Sequence, residues 1–140
     1  MKPTSGYSGK PLWIKLGLKS GIRVFLRDAP DDYWDLCGFD PATVSLAAAR
    51  GKFDFGHLFA TSRSALAGAL KPAADRLEPS GMLWISWPKK SAGVTTDLTE
   101  DTLRELALPL GLVDVKVCAV SEVWSGLKFV WRKERRATRR

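Results

Sequence analysis

Gly81-Met82-Leu83-Trp84-Ile85-Ser86-Trp87-Pro88-Lys89-Lys90-Ser91-Ala92-Gly93-Val94-Thr95-Thr96-Asp97-Leu98-Thr99 is the stretch whose reading decides the fold. From Met82 to Trp87 it is apolar, aromatic and β-branched over a strand's length, and Pro88 withholds a ladder donor at its end. A central strand is expected there. The residues that follow make a basic loop with glycine and threonine, and the loop runs into a helix start at Thr99. Strand, polar loop and helix N-terminus then meet in one place, which in open α/β sheets is where ligands bind.

Upstream of this stretch, Pro79-Ser80-Gly81 is expected to turn the chain into the strand, and Thr61-Ser62 to cap a helix over residues 63–77. Leu66, Leu70 and Leu77 form that helix's apolar stripe, and Pro72 is expected to kink or divide it. Residues 53–60 alternate as a strand, with Phe55, His57 and Phe59 on one face and Gly56, Leu58 and Ala60 on the other. Earlier still, residues 22–26 read as the first strand. Asp31-Asp32 should cap a short helix from Tyr33 to Cys37 stopped by Gly38, and a weak strand follows at 43–47. Near the N-terminus, Leu12, Trp13 and Leu16 follow helical spacing between Pro11 and Gly17.

Downstream, Thr99 caps a helix that buries Leu103, Leu106, Ala107 and Leu110 before Gly111, and residues 113–120 and 127–131 form a hairpin through the turn at Glu122 to Gly126. Strands alternating with helical crossovers imply a doubly wound, mainly parallel α/β sheet with a C-terminal antiparallel hairpin strand. One domain over residues 1–131 is expected, opened by an irregular arm and short helix at 1–21 and followed by a basic tail at 132–140.

Composition sets the bounds. The chain has 140 residues, 45% hydrophobic and 26% charged, as in an ordinary globular domain. No apolar run approaches the roughly 20 residues of a membrane span, and the N-terminus lacks a signal's apolar core, so a cytoplasmic location and no membrane partner are expected. Cys37 and Cys118 read as buried free thiols, without a second ligand at zinc spacing. Of the net charge of +7, residues 132–140 carry six basic residues and one Glu, leaving +2 on the rest. The opening Ser5-Gly6-Tyr7-Ser8-Gly9-Lys10 lacks the preceding strand and frame of a P-loop.

The segment from Phe53-Asp54-Phe55 through a helix, Pro79-Ser80-Gly81-Met82-Leu83-Trp84, a second helix, Gly111-Leu112 and a closing strand pair resembles the later two-thirds of a class I methyltransferase. The resemblance implies a Rossmann-like, methyltransferase-like sheet of the kind that binds S-adenosylmethionine. The family's Gly-rich loop after the first strand corresponds to Leu26-Arg27-Asp28-Ala29-Pro30-Asp31-Asp32, which has no glycine, and Ala47-Ala48-Ala49-Arg50 lacks the family's acid after the second strand. No cofactor is therefore expected. A second resemblance, over most of the chain, is to small bacterial proteins grouped as a domain of unknown function; it rests on Ser5 to Gly9 with Pro11-Leu12 and Lys15-Leu16-Gly17, on Trp84 to Lys90, and on Trp124 to Lys128.

In a doubly wound sheet Asp28 to Asp31, Thr61-Ser62-Arg63 and Trp87 to Lys90 share the carboxyl edge of the strands. With Thr96 and Asp97 from the loop they form the candidate ligand site: Asp28, Pro30, Thr61, Ser62, Arg63, Trp87, Lys89, Lys90, Thr96 and Asp97. A helix N-terminus, an Arg and two Lys suit an anion, while a solvated loop accounts for the Lys pair equally. Trp87 is either a stacking platform for a base or a core ring. His57 has no neighbouring Ser, Cys or carboxylate by spacing, and it reads either as a packed histidine or as a general base. No complete catalytic set emerges. Three functions remain: a non-enzymatic or vestigial methyltransferase-like module holding a small anionic or nucleotide-like ligand or a protein partner; a divergent S-adenosylmethionine-dependent methyltransferase; and weak, sequence-independent nucleic-acid contact through Arg132, Lys133, Arg135, Arg136, Arg139 and Arg140.

Overall fold

The structure, a computed structural model, describes residues 10–138 and their side chains as far as Arg136. The elements are α1 (Leu12–Leu16), β1 (Arg23–Arg27), α2 (Tyr33–Cys37), β2 (Ser45–Leu46), β3 (Phe53–Phe59), α3 (Arg63–Arg76), β4 (Leu77–Pro88), α4 (Glu100–Ala107), β5 (Leu112–Ala119), β6 (Trp124–Trp131) and α5 (Lys133–Thr138). The strands form one sheet in the order β2-β1-β3-β4-β6-β5. From β2 to β4 neighbours run parallel, and β6 lies antiparallel between β4 and β5. The sheet is thus mostly parallel, with the antiparallel strand supplied by the C-terminal hairpin. The arm motif at residues 5–9 and the tail residues Arg139 and Arg140 lie outside the described residues.

Each face of the sheet is covered by its own helices, because the strands are apolar on both sides. On one face α3 contributes Leu66, Ala69, Leu70, Ala73 and Ala74 at helical spacing, and α4 adds Leu103 and Ala107 against Phe53, Leu58, Leu83, Ile85 and Phe129. On the other, Leu12 and Leu16 of α1 and Tyr33 and Cys37 of α2 pack on Val24, Phe55, Phe59 and Trp84. Burying each of these Leu or Phe side chains contributes about 1.5–3 kcal/mol. Trp84, fully buried, donates its indole N–H to the Leu16 carbonyl at 2.8 Å, which fixes α1 to the sheet.

Several local expectations change. Thr99 caps α4 as expected, its Oγ1 accepting from the Thr102 amide, but Asp32 makes no side-chain cap bond on α2. Pro72 does not divide α3: it lies on the exposed side, where water can take up the carbonyl that loses its partner. Pro79-Ser80-Gly81 is not a turn before β4 but lies within it. Phe53 pairs with Leu77 and Phe55 with Met82, so Glu78 to Gly81 bulge out opposite Asp54 alone. Gly81 permits this, since a Cβ there would sit 2.9 Å from the Asp54 carbonyl oxygen. At the sheet's other end β2 shrinks to Ser45–Leu46, and β6 starts at Trp124 rather than at residue 127.

The link from β2 to β3 contains no helix. It is braced by Arg76, whose guanidinium donates to the carbonyls of Ala48 and Gly51, both at 2.8 Å, and lies 4.3 Å over the Phe25 ring. Beyond β6, the Arg132 amide donates to the Gly111 carbonyl and the Arg136 guanidinium to the Trp131 carbonyl. The start of the basic tail is therefore a short helix held against the β5 entrance.

Candidate functional site

At the carboxyl edge, β1 leads to β2 on one side and β3 leads through α3 to β4 on the other. The connections diverge between residues 27–30 and 60–62, which makes this the switch point of the sheet. Asp28 sits there in the left-handed region, at φ 56°, the only described non-glycine residue with positive φ. Its carboxylate is exposed and lies 3.9 Å from the Arg27 guanidinium. Pro30 turns the chain into α2, its carbonyl accepting from the Tyr33 amide.

Five of the expected residues come together at the start of α3, where they satisfy one another. Ser62 Oγ accepts from the Ala65 amide, and Asp97 Oδ1 accepts from the Arg63 amide at 2.7 Å. Thr96 Oγ1 donates to the Thr61 carbonyl at 2.6 Å, and the Arg63 guanidinium pairs with Glu105 at 2.8 Å. The protein's own carboxylate thus occupies the helix N-terminus that the sequence offered to an anion. Glu105, which comes from α4, was not readable from the sequence as part of this cluster. Trp87 is only 8% exposed and packs in the same core cluster as Leu98 and Leu103. Lys89 anchors to the hairpin turn through its amide, which donates to the Val123 carbonyl, and Lys90 begins a 3₁₀ turn at Lys90–Ala92.

Beneath this edge lies a buried polar column. His57 is fully buried, with Nδ1 2.8 Å from the Tyr33 hydroxyl and Nε2 2.7 Å from Ser86 Oγ, itself fully buried. Cys37 lies one helical turn after Tyr33 on α2 and is buried in the same cluster. The Ser86 partner was hidden in the sequence because it comes from β4: His57 pairs with Trp84, and Ser86 stands two residues further along the same face. Burial holds the imidazole neutral, its pKa pushed down to about 3, and pushes the Cys37 thiol up to about 12. A neutral imidazole satisfies both hydroxyls in either tautomer, because each hydroxyl can donate or accept. The Phe59 ring stacks on His57 at 4.3 Å and Tyr33 meets it edge-on. The column is a packed brace between α2, β3 and β4 and is closed to solvent.

No protein-family model matches the sequence, and no curated protein does. Solved structures do match. An O-methyltransferase, NcsB1 from neocarzinostatin biosynthesis, in complex with S-adenosylmethionine, aligns with TM-score 0.58 and 12% identity over 86% of this chain and 50% of its own. The glycopeptide N-methyltransferase MtfA aligns with TM-score 0.55 and 12% identity over 86% of this chain and 88% of its own. LepI in complex with SAM aligns with TM-score 0.53 and 14% identity over 86% of this chain. The fold is methyltransferase-like. The chain spans about two-fifths of the length of LepI and half that of NcsB1.

These neighbours correct one expectation from the sequence. The missing glycines after β1 suggested that no cofactor is held, yet folds of this kind were solved with S-adenosylmethionine or, for a LepI variant and for DhpI, with SAH. The backbone supplies a physical reason for the error: Asp28 adopts the left-handed turn after β1 that glycine was thought to be needed for. Among the described residues no helix is long and apolar enough to cross a membrane.

Proposed function

We propose that the chain is a methyltransferase-like binding module that takes a small nucleotide-like ligand, S-adenosylmethionine first among those to test, at the carboxyl edge between β1 and β3. The observation that carries this reading is the left-handed Asp28 at the switch point, an exposed carboxylate held in a backbone conformation that costs free energy and clusters at functional sites. Asp28 would accept from a hydroxyl or ammonium of the ligand, and Ala29, Pro30, Ala60 and Thr61 would flank it. A bound sulfonium cofactor would supply a transferable methyl group. Of the groups at this edge that could act as a general base on it, His57 is neutral but sealed, Asp97 is committed to α3, and Asp28 would be engaged in holding the ligand. Binding rather than turnover is therefore the activity that this set of residues supports.

Isothermal calorimetry with S-adenosylmethionine and its demethylated product tests the reading. Saturable heat with either ligand, weakened at least tenfold by Asp28→Asn, supports it. Asn tolerates the left-handed conformation, so that variant removes charge and leaves the turn in place. Absence of heat with both ligands, and with ATP and AMP, overturns it.

A further inference from the structure

A cavity of about 280 Å³ opens between α1 and β5, lined in part by Lys10, Ile14, Lys15, Lys116 and Cys118, with no carboxylate among the described residues of its wall. It is separate from the switch point between β1 and β3: β5 stands three strand spacings from β3, about 14 Å across the sheet. The register at its floor is unusual. Lys116 on β5 is paired directly with Lys128 on β6, just past the β5 irregularity between Asp114 and Lys116. Like charges placed opposite one another on adjacent strands destabilise the pair. No carboxylate forms an ion pair with either ammonium among the described residues.

Lys116 donates to the Lys15 carbonyl at 3.0 Å, at the end of α1, which uses one of its three donors. Burial first, and the charge of Lys116 second, push the Lys128 ammonium below its usual range. The positive field reaches further. Burial raises the pKa of Cys118, while the charges of Lys15, Lys116 and Lys89 oppose that rise, which places Lys89 at the end of β4 in the same electrostatic neighbourhood.

We propose that this cavity binds a small phosphate-bearing ligand, whose phosphate group sits among Lys116, Lys15 and Lys10 and offsets the Lys116–Lys128 repulsion. Ammonium groups recognise phosphate as point charges from several directions, which suits a cluster of lysines on different elements. The size favours a small molecule: 280 Å³ lies at the lower end of ligand pockets and takes a phosphate ester with a few carbons. Among the described residues no aromatic ring lines the cavity, and its charged groups are lysines, which favours a compact anion over a stacked base.

The test is an ¹H–¹⁵N NMR titration of the full chain with inorganic phosphate, pyrophosphate and glycerol phosphate, against sodium chloride at matched ionic strength. The expected result is saturable shifts of the amides at 14–15 and 116–119 with a phosphate compound and none with chloride. Lys116→Met and Lys128→Met should each weaken binding about tenfold. In the absence of ligand, each should melt at or above the parent's temperature, because the repulsion is gone. The proposal is overturned if the parent shows no saturable shift with any of the phosphate compounds, if chloride reproduces it, or if both variants bind as the parent does. The parent titration decides the matter even if a variant fails to fold.

Discussion

Lowering the pH from 8 to 5 should draw from His57 a loss of stability whose size its burial defines. In the unfolded chain the imidazole titrates near its ordinary 6.5, whereas in the fold its pKa lies at about 3. Between these values the unfolded state binds more protons than the folded one, so stability rises with pH across this window and is lost as pH falls below 6.5. At pH 5 the unfolded histidine is 1.5 units below its pKa, which favours unfolding by about 2 kcal/mol, and each further unit down to about 3 adds about 1.4 kcal/mol. Urea denaturation at pH 8, 6 and 5 reads the loss directly. Carboxylates such as Asp54 also titrate, so the quantity to compare is the difference from His57→Gln, whose profile should be flatter by about 2 kcal/mol between pH 8 and 5. Parallel profiles, or a ring resonance that titrates near 6.5 in the folded protein, would refute the sealed Tyr33–His57–Ser86 column.

Three substitutions probe the packing. Gly56→Ala would put a Cβ 2.5 Å from the Phe53 ring and 2.8 Å from Leu83 Cδ1, both side chains fully buried, and should lower stability in urea by about 1–3 kcal/mol. Asp97→Ala removes the carboxylate from the Arg63 amide and should cost about 1 kcal/mol, with faster amide exchange confined to the first turn of α3. Trp84→Phe leaves the buried Leu16 carbonyl without its indole donor; a loss of about 2 kcal/mol with loosened exchange at residues 14–18 is expected, and unchanged exchange there would mean that α1 is held by other contacts.

What the sequence made legible was local. The alternation that put Phe55, His57 and Phe59 on one face needs only the pleat, the Thr99 cap and the Gly17, Gly38 and Gly111 stops are read within a turn, and the order of strands and helices follows from the period of their apolar residues. Where two distant segments decide the outcome, the sequence was silent. Ser86 meets His57 only through the register of β3 on β4, and Asp97 reaches the Arg63 amide across 34 residues of chain. The bulge from Glu78 to Gly81 looks like a turn to any local rule, because Pro, Ser and Gly mark turns and bulges alike. The opposition of Lys116 and Lys128 depends on an irregularity in β5 that no spacing announces.

The most direct test of the central claim, a ligand site at the carboxyl edge between β1 and β3, is an ¹H–¹⁵N titration of the protein with S-adenosylmethionine. The account predicts saturable shifts clustered at residues 27–34 and 59–62, weaker in Asp28→Asn, with the amides of residues 116–119 unmoved. No saturable shift, or shifts confined to β5 and α1, would contradict it.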